Sequence, residues 1–303
     1  MLKNLFIREN LKWKEVKKMK KLILFAILGI MLSIGTAQAD FWTGDLWNPT
    51  AGFVPGVQTF DWSSSGSGVA VGLGPFGTIV PAGTPFDFKY QAFLVGVTDS
   101  GGNPIALPGL NVNHEYTVAA NLNDMVIAMI PLGPLVQGLF QTVGGTFDIY
   151  YDAPGGGTQA TVATGRGFDD GILVASGFIP FDPVGNFATF TANLANGTGI
   201  GSTLIEGLIT YANPAYLDLA SIIFDFRYEG TLNYPPLDST TTHFFSNLPG
   251  GDINYPIYAV TGNDLLLKVD GSSKFSVPEP ATLILLGSGL LGLGGLARKR
   301  KKN

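Results

Sequence analysis

Pro85-Phe-Asp-Phe-Lys-Tyr-Gln-Ala-Phe-Leu94 alternates apolar and polar side chains: Phe86, Phe88, Tyr90 and Ala92 fall on one face, Asp87, Lys89 and Gln91 on the other. Successive side chains of a strand point to opposite faces, so this stretch predicts a strand with one buried and one solvated side. Ser221-Ile-Ile-Phe-Asp-Phe-Arg-Tyr-Glu229 repeats the device, with Ile222, Phe224, Phe226 and Tyr228 inward and Asp225, Arg227 and Glu229 outward. Runs bounded by Gly, Pro, Asn and Asp predict further strands over 57–62, 69–73, 116–121, 125–130, 146–151, 159–164, 172–178, 187–194 and 265–269. Helical periodicity is weak, with at most one turn over 212–220 after Asn213-Pro214. The pattern predicts an all-β class, as a β-sandwich or a jelly-roll-like domain. Ser63-Ser-Ser-Gly-Ser-Gly68 and Pro154-Gly-Gly-Gly157 read as flexible loops inside that domain, because strand patterns resume on both sides.

The stretch from residue 40 to 276 holds 17 Asp and 3 Glu against five basic residues, a net of −15 that the whole-chain value of −5 conceals. Most cations sit in the two ends. A body this acidic repels nucleic acid, whose binding rests on neutralising phosphates with Lys and Arg, so no nucleic-acid partner is expected. Cysteine is absent, which removes thiol catalysis, thiolate metal sites and disulfides, and leaves stability to the burial of a core.

Motifs for chemistry are sparse. Gly144-Gly145, Gly155-Gly156-Gly157 and Gly250-Gly251 lack the Lys and helix that a phosphate loop needs, and His114-Glu115 lacks the second His of a helical zinc site. Glu115, Glu206 and Glu229 are the glutamates of the body. Glycoside hydrolysis needs two carboxylates at a set separation, and no acid here shows a partner or a sugar platform along the chain. No catalytic residue and no enzyme activity are expected. Gly165-Arg-Gly-Phe-Asp-Asp-Gly171 stands out: Asp169 and Asp170 in a glycine-framed turn, with Asp148 and Asp152 on the preceding hairpin, can offer oxygen ligands to Ca²⁺. The spacing is not that of an EF-hand, and the plain alternative is a hairpin whose turn Asp169 or Asp170 caps. Apart from Ca²⁺ at these four residues, no cofactor is expected.

The ends carry different signals. Lys20-Lys21 runs into an apolar stretch, 22–32, too short to span a bilayer comfortably, and Ala37-Gln38-Ala39 supplies the small residues that signal peptidase needs. Residues 1–39 therefore read as a signal peptide, with Met19 as the true start and Asp40 as the mature N-terminus. At the C-terminus, 277–303, come Val277-Pro278-Glu279-Pro280, an apolar run over 281–297, and Arg298-Lys299-Arg300-Lys301-Lys302. As a helix the apolar run reaches roughly 25 Å, enough for a single transmembrane helix. The terminal cations stay cytoplasmic, so the chain is held in the inner membrane by its tail. Pro278 and Pro280 keep the preceding backbone extended, the form a protease reads.

In the order of its parts this tail resembles the PEP-CTERM sorting signal, over about the last 26 residues of the chain. The resemblance implies that Pro278, Glu279 and Pro280 are the recognition motif of an exosortase, a membrane protease of Gram-negative bacteria that make exopolysaccharide. The inner membrane is then a transient stop on the way to the cell surface or extracellular matrix. Phe147-Asp-Ile-Tyr-Tyr-Asp152, Ile172-Leu-Val-Ala-Ser-Gly177, Phe60-Asp61-Trp62 and Phe88-Lys-Tyr-Gln-Ala92 are similar to stretches of flocculation-associated PEP-CTERM proteins. That likeness implies a role in binding cells into flocs with exopolysaccharide and brings no catalytic residue with it. The resulting expectation is a non-enzymatic surface or matrix protein, 40–276, in flocculation or biofilm; the alternative is a secreted carbohydrate-active enzyme or lectin-like module with the same tail.

Overall fold

The computed structural model describes residues 44–153, 159–183, 185–218, 224–236, 241–245 and 255–276. The expected signal peptide with Ala37 and Ala39, the sorting motif Val277–Pro280, the helix expected over 281–297 and the basic stop Arg298–Lys302 lie outside these residues. The described residues belong to one compact unit. The all-β class expected from the alternation is what this unit adopts.

The strands are β1 (Gly44–Asn48), β2 (Gly52–Val57), β3 (Thr59–Ala70), β4 (Pro85–Thr98), β5 (Pro104–Ile105), β6 (Glu115–Leu132), β7 (Leu135–Asp152), β8 (Ile172–Ile179), β9 (Phe187–Asn193), β10 (Thr198–Ala212), β11 (Leu217–Asp218), β12 (Phe224–Tyr234), β13 (His243–Phe244), β14 (Tyr258–Ala259) and β15 (Leu265–Ser276). The principal ladder runs β3, β4, β6, β7, then β9 and β8 end to end along β7, then β10, β12 and β15. Since β15 also pairs with β3, from Leu265 opposite Ala70 to Lys274 opposite Thr59, the ladder closes on itself. The result is an antiparallel barrel of eight strand positions whose principal strands each neighbour the next in sequence. Closure removes the unpaired edges along which sheets aggregate. Its two walls pack across one core as those of a sandwich do: the Tyr90 and Tyr228 rings stand 5.3 Å apart, and Phe86 meets Phe140 edge-on at 5.6 Å.

Glycines make room for the large rings inside. A Cβ on Gly68 would lie 2.5 Å from Phe88 and 2.6 Å from Val269, and one on Gly207 would press on Phe147 and Ile179. This explains why Ser63–Gly68, expected as a flexible loop, lies within β3: it forms a bulge between pairs with β4 and β15, and Gly66 and Gly68 sit where those strands leave no space for a side chain. At one barrel end the 71–84 connection folds over the opening, with Phe76 stacked on Tyr234 at 4.1 Å.

A second apolar cluster lies outside the barrel wall. Phe244, Phe245 and Tyr255 cover Val69, Ala119 and Tyr150. Gln91, expected on a solvated face, is fully buried beneath this strap and accepts a hydrogen bond from the Phe245 amide at 3.2 Å. Lys89 is likewise covered, donating to Asn121 at 2.7 Å with its ammonium 5.4 Å from the Tyr258 ring centre. In the second quoted strand Tyr228 is buried and Arg227 and Glu229 are exposed; the side chains of Ile222, Phe224, Asp225 and Phe226 lie outside the description.

Candidate functional site

Glu115 opens β6 and Asp152 ends β7, and the two are cross-strand partners. The loop after residue 158 folds back over them. Its Ala160 amide donates to Glu115 Oε1 at 2.8 Å, and the Thr117 hydroxyl donates to the Phe168 carbonyl at 2.9 Å, anchoring a fully buried Phe168. Asp170 comes down beside Asp152 and interacts with it directly. The strand expected over 159–164 is instead a set of turns with a single bridge from Thr161 to Arg166, in which the Thr164 and Gly165 amides donate back to the Thr161 carbonyl.

Crowding of acids at this end shifts their ionisation. Burial pushes Glu115 up to about 7, against the opposing pull of the Ala160 amide and with a further push from Asp170. Burial, then Asp170, then Glu115 push Asp152 up to about 7. A raised carboxyl holds its proton, so near neutrality Glu115 and Asp152 keep part of this end's charge suppressed. His114, next in line, is buried against Asn48 at 3.4 Å, and burial lowers its affinity for a proton.

The four aspartates considered for Ca²⁺ do not form one set. Asp152 and Asp170 meet; Asp169 is fully buried beside Phe168. Asp148 belongs elsewhere: on the outer face of β7 it accepts a hydrogen bond from the Tyr150 hydroxyl at 3.2 Å, and burial raises it against the stabilising contacts of Ser176, Tyr255 and Tyr150. Among the described residues, no group of three or more His, Asp or Glu side chains is disposed to hold a metal ion.

Glu115 is the member of this cluster that the sequence did not single out. A signal for it existed. Gly133-Pro134 links the β6–β7 hairpin, and one bulge in each strand cancels the other, so counting outward from Leu132 opposite Leu135 returns to register and sets Glu115 opposite Asp152.

On the far wall an exposed row of hydroxyls crosses three strands: Thr189 on β9, Ser202 on β10 and Thr231 on β12 are successive cross-strand partners, with Thr189 and Ser202 oxygens 3.3 Å apart. Beside it Arg227 pairs with Glu229 at 2.7 Å and Glu206 at 3.9 Å, which neutralises charge locally.

β15 ends at Ser276, and there the sorting tail begins. A closed β body joined to an export tail defines a class of tail-sorted exported protein. Residues 276–301 match the PEP-CTERM protein-sorting motif, so the chain carries this signal and is handled by an exosortase on its way to the surface of a Gram-negative cell. No curated protein matches the chain, and no solved structure does.

Proposed function

We propose that the mature protein is a non-enzymatic surface or matrix component that helps bind cells into flocs or biofilm through exopolysaccharide. The observation that carries this reading is the three-part tail, matched over residues 276–301, joined to a body of net charge −15. That charge disfavours direct pairing with anionic polymer, so contact runs through neutral sugar faces or bridging cations. The hydroxyl row of Thr189, Ser202 and Thr231 suits the first of these: its exposed oxygens both donate and accept, as sugar hydroxyls do. Many weak contacts on a surface-held particle add up through effective concentration. Glu115 and Asp152, the acids that converge, are only 5 % and 8 % exposed, which favours a structural pair over a hydrolytic one.

The test deletes the gene and restores it with and without residues 277–303. Deletion should loosen cell aggregation while polysaccharide synthesis continues, and the intact gene alone should restore it. Equal rescue by the tail-less form would remove sorting from the mechanism. If neither form changes aggregation, flocculation is not the function and the enzyme or lectin alternative takes its place.

A further inference from the structure

The barrel encloses a cavity of about 60 Å³ within which the centre of a water molecule can move. About 10–15 Å³ of such space accommodates one water, whose share of liquid volume is about 30 Å³, so the cavity suits a solute of roughly 120–180 Å³. That is the scale of an engineered cavity of about 150 Å³ that binds benzene. Eight-stranded barrels stand at the size where side chains either fill the interior or leave space for one small ligand. This barrel leaves space.

The wall is almost wholly apolar, built from rings and aliphatic chains such as Phe86, Leu122, Phe140, Phe190 and Leu267, and it contains no Lys or Arg. One polar atom interrupts it without a hydrogen bond of its own, Asp124 Oδ1, while the Tyr90 and Tyr228 hydroxyls interact with each other. Asp124 is 6 % exposed. Buried polar atoms are nearly always partnered, so this one marks where a bound molecule can place a polar atom. Asp124 faces Phe86 across β4, whereas Tyr90 faces Ala120, four residues further along β6. At about 3.3 Å per residue these groups are roughly 13 Å apart along the strand, too far for one hydroxyl to serve both. A smaller cavity shares Leu73, Phe140, Phe190 and Leu265 with the large one and continues beneath the 73–78 stretch, toward the same barrel end as Asp124.

We propose that the barrel interior binds a small apolar molecule of about six to eight carbons bearing one hydroxyl, with the apolar part among Phe86, Leu122, Phe140 and Phe190 and the hydroxyl on Asp124. A hydroxyl fits because it donates to a carboxylate and accepts from a carboxylic acid, whichever form Asp124 holds. Burial pushes Asp124 up to about 7, against the Thr142 hydroxyl beside it, so both forms occur near neutrality. An anionic ligand has no cation to meet and would face Asp124.

The protein recovered from its own cells is titrated with p-cresol, toluene and benzoate, and binding is read by the rise in melting temperature and by displacement of p-cresol in ligand-observed NMR. The expected order is p-cresol first, toluene roughly tenfold weaker, and benzoate without effect. Ala120→Leu or Ala188→Leu, which fills the cavity from two different strands, should abolish p-cresol binding; Asp124→Leu should level p-cresol with toluene, and Asp124→Asn should keep the preference. Two filling variants are used so that one failing to fold leaves the other to decide. Absence of p-cresol binding to the unaltered protein, or binding that survives a folded filling variant, overturns the proposal. A preference for p-cresol unchanged in Asp124→Leu overturns the assignment of the hydroxyl.

Discussion

The tail and the barrel store their instructions differently. In the tail every working part is contiguous: Pro278-Glu279-Pro280, the apolar run, then Arg298–Lys302. In the barrel, partners come from far apart: the Trp62 indole donates to Ser273 across 211 residues, and the Phe245 amide to Gln91 across 154. A contiguous signal can be read by an enzyme from extended chain, whatever fold precedes it. A dispersed one exists only once the ladder has closed. Changes in the tail should therefore alter processing and leave stability alone, and changes in the barrel should do the reverse.

The largest effect expected in the barrel comes from Trp62→Ala. Trp62 is fully buried, stacks on Phe60 at 6.0 Å and bonds Ser273 at 2.9 Å. Its loss should cost about 3–5 kcal/mol in chemical denaturation; a cost under about 1 kcal/mol would mean the ladder does not depend on this packing. Gly68→Val should cost about 1–3 kcal/mol by overpacking, and Phe88→Ala in the same chain should recover part of that loss, because the two residues compete for one space. Additive losses would show the glycine is needed for another reason.

The acidic end gives a smaller, pH-dependent effect. Glu115 and Asp152 lie at about 7 in the folded chain, above the usual carboxylate range. Between roughly pH 4 and 7 the folded state therefore holds more protons than the unfolded one, and stability falls as pH rises through that window, then levels off. Melting temperature should drop by about 5 °C from pH 4.5 to 8, and the drop should shrink in Glu115→Gln. A rise over that range would contradict the buried acid pair.

Strands with clean alternation were legible. β4 follows from Phe86 to Leu94, and the two runs expected over 116–121 and 125–130 prove to be one strand, β6, continuing through a bulge. β10 was not legible. Its outward face carries Ile200 and Leu204, 64 % and 36 % exposed, while its inward face holds Gly201 and Gly207, which yield space to Phe190 and to Phe147, so contrast between the faces disappears. The turn expected near 212–220 is present over 214–216 but leads into β11, which pairs with β1. Barrel closure also left no mark on the chain, because it depends on β15 finding β3, whose hydroxyl- and glycine-rich middle resembles a loop. Of the acidic end, Asp152 and Asp170 were visible as candidates; Glu115 needed the hairpin register, and the separation of Asp148 needed the knowledge that it points outward beneath Tyr255.

The claim that two removable ends flank a working barrel is tested most directly by intact mass of the protein from cells with and without the exosortase. With the enzyme, the chain should begin at Asp40 and lack Arg298–Lys302; without it, the N-terminus should be the same and the basic tail retained. Pro278→Ala with Glu279→Ala should give the second result in normal cells, with an unchanged melting temperature. Recovery of full-length chain from cells that have the exosortase, or the same mass with and without it, would contradict the account.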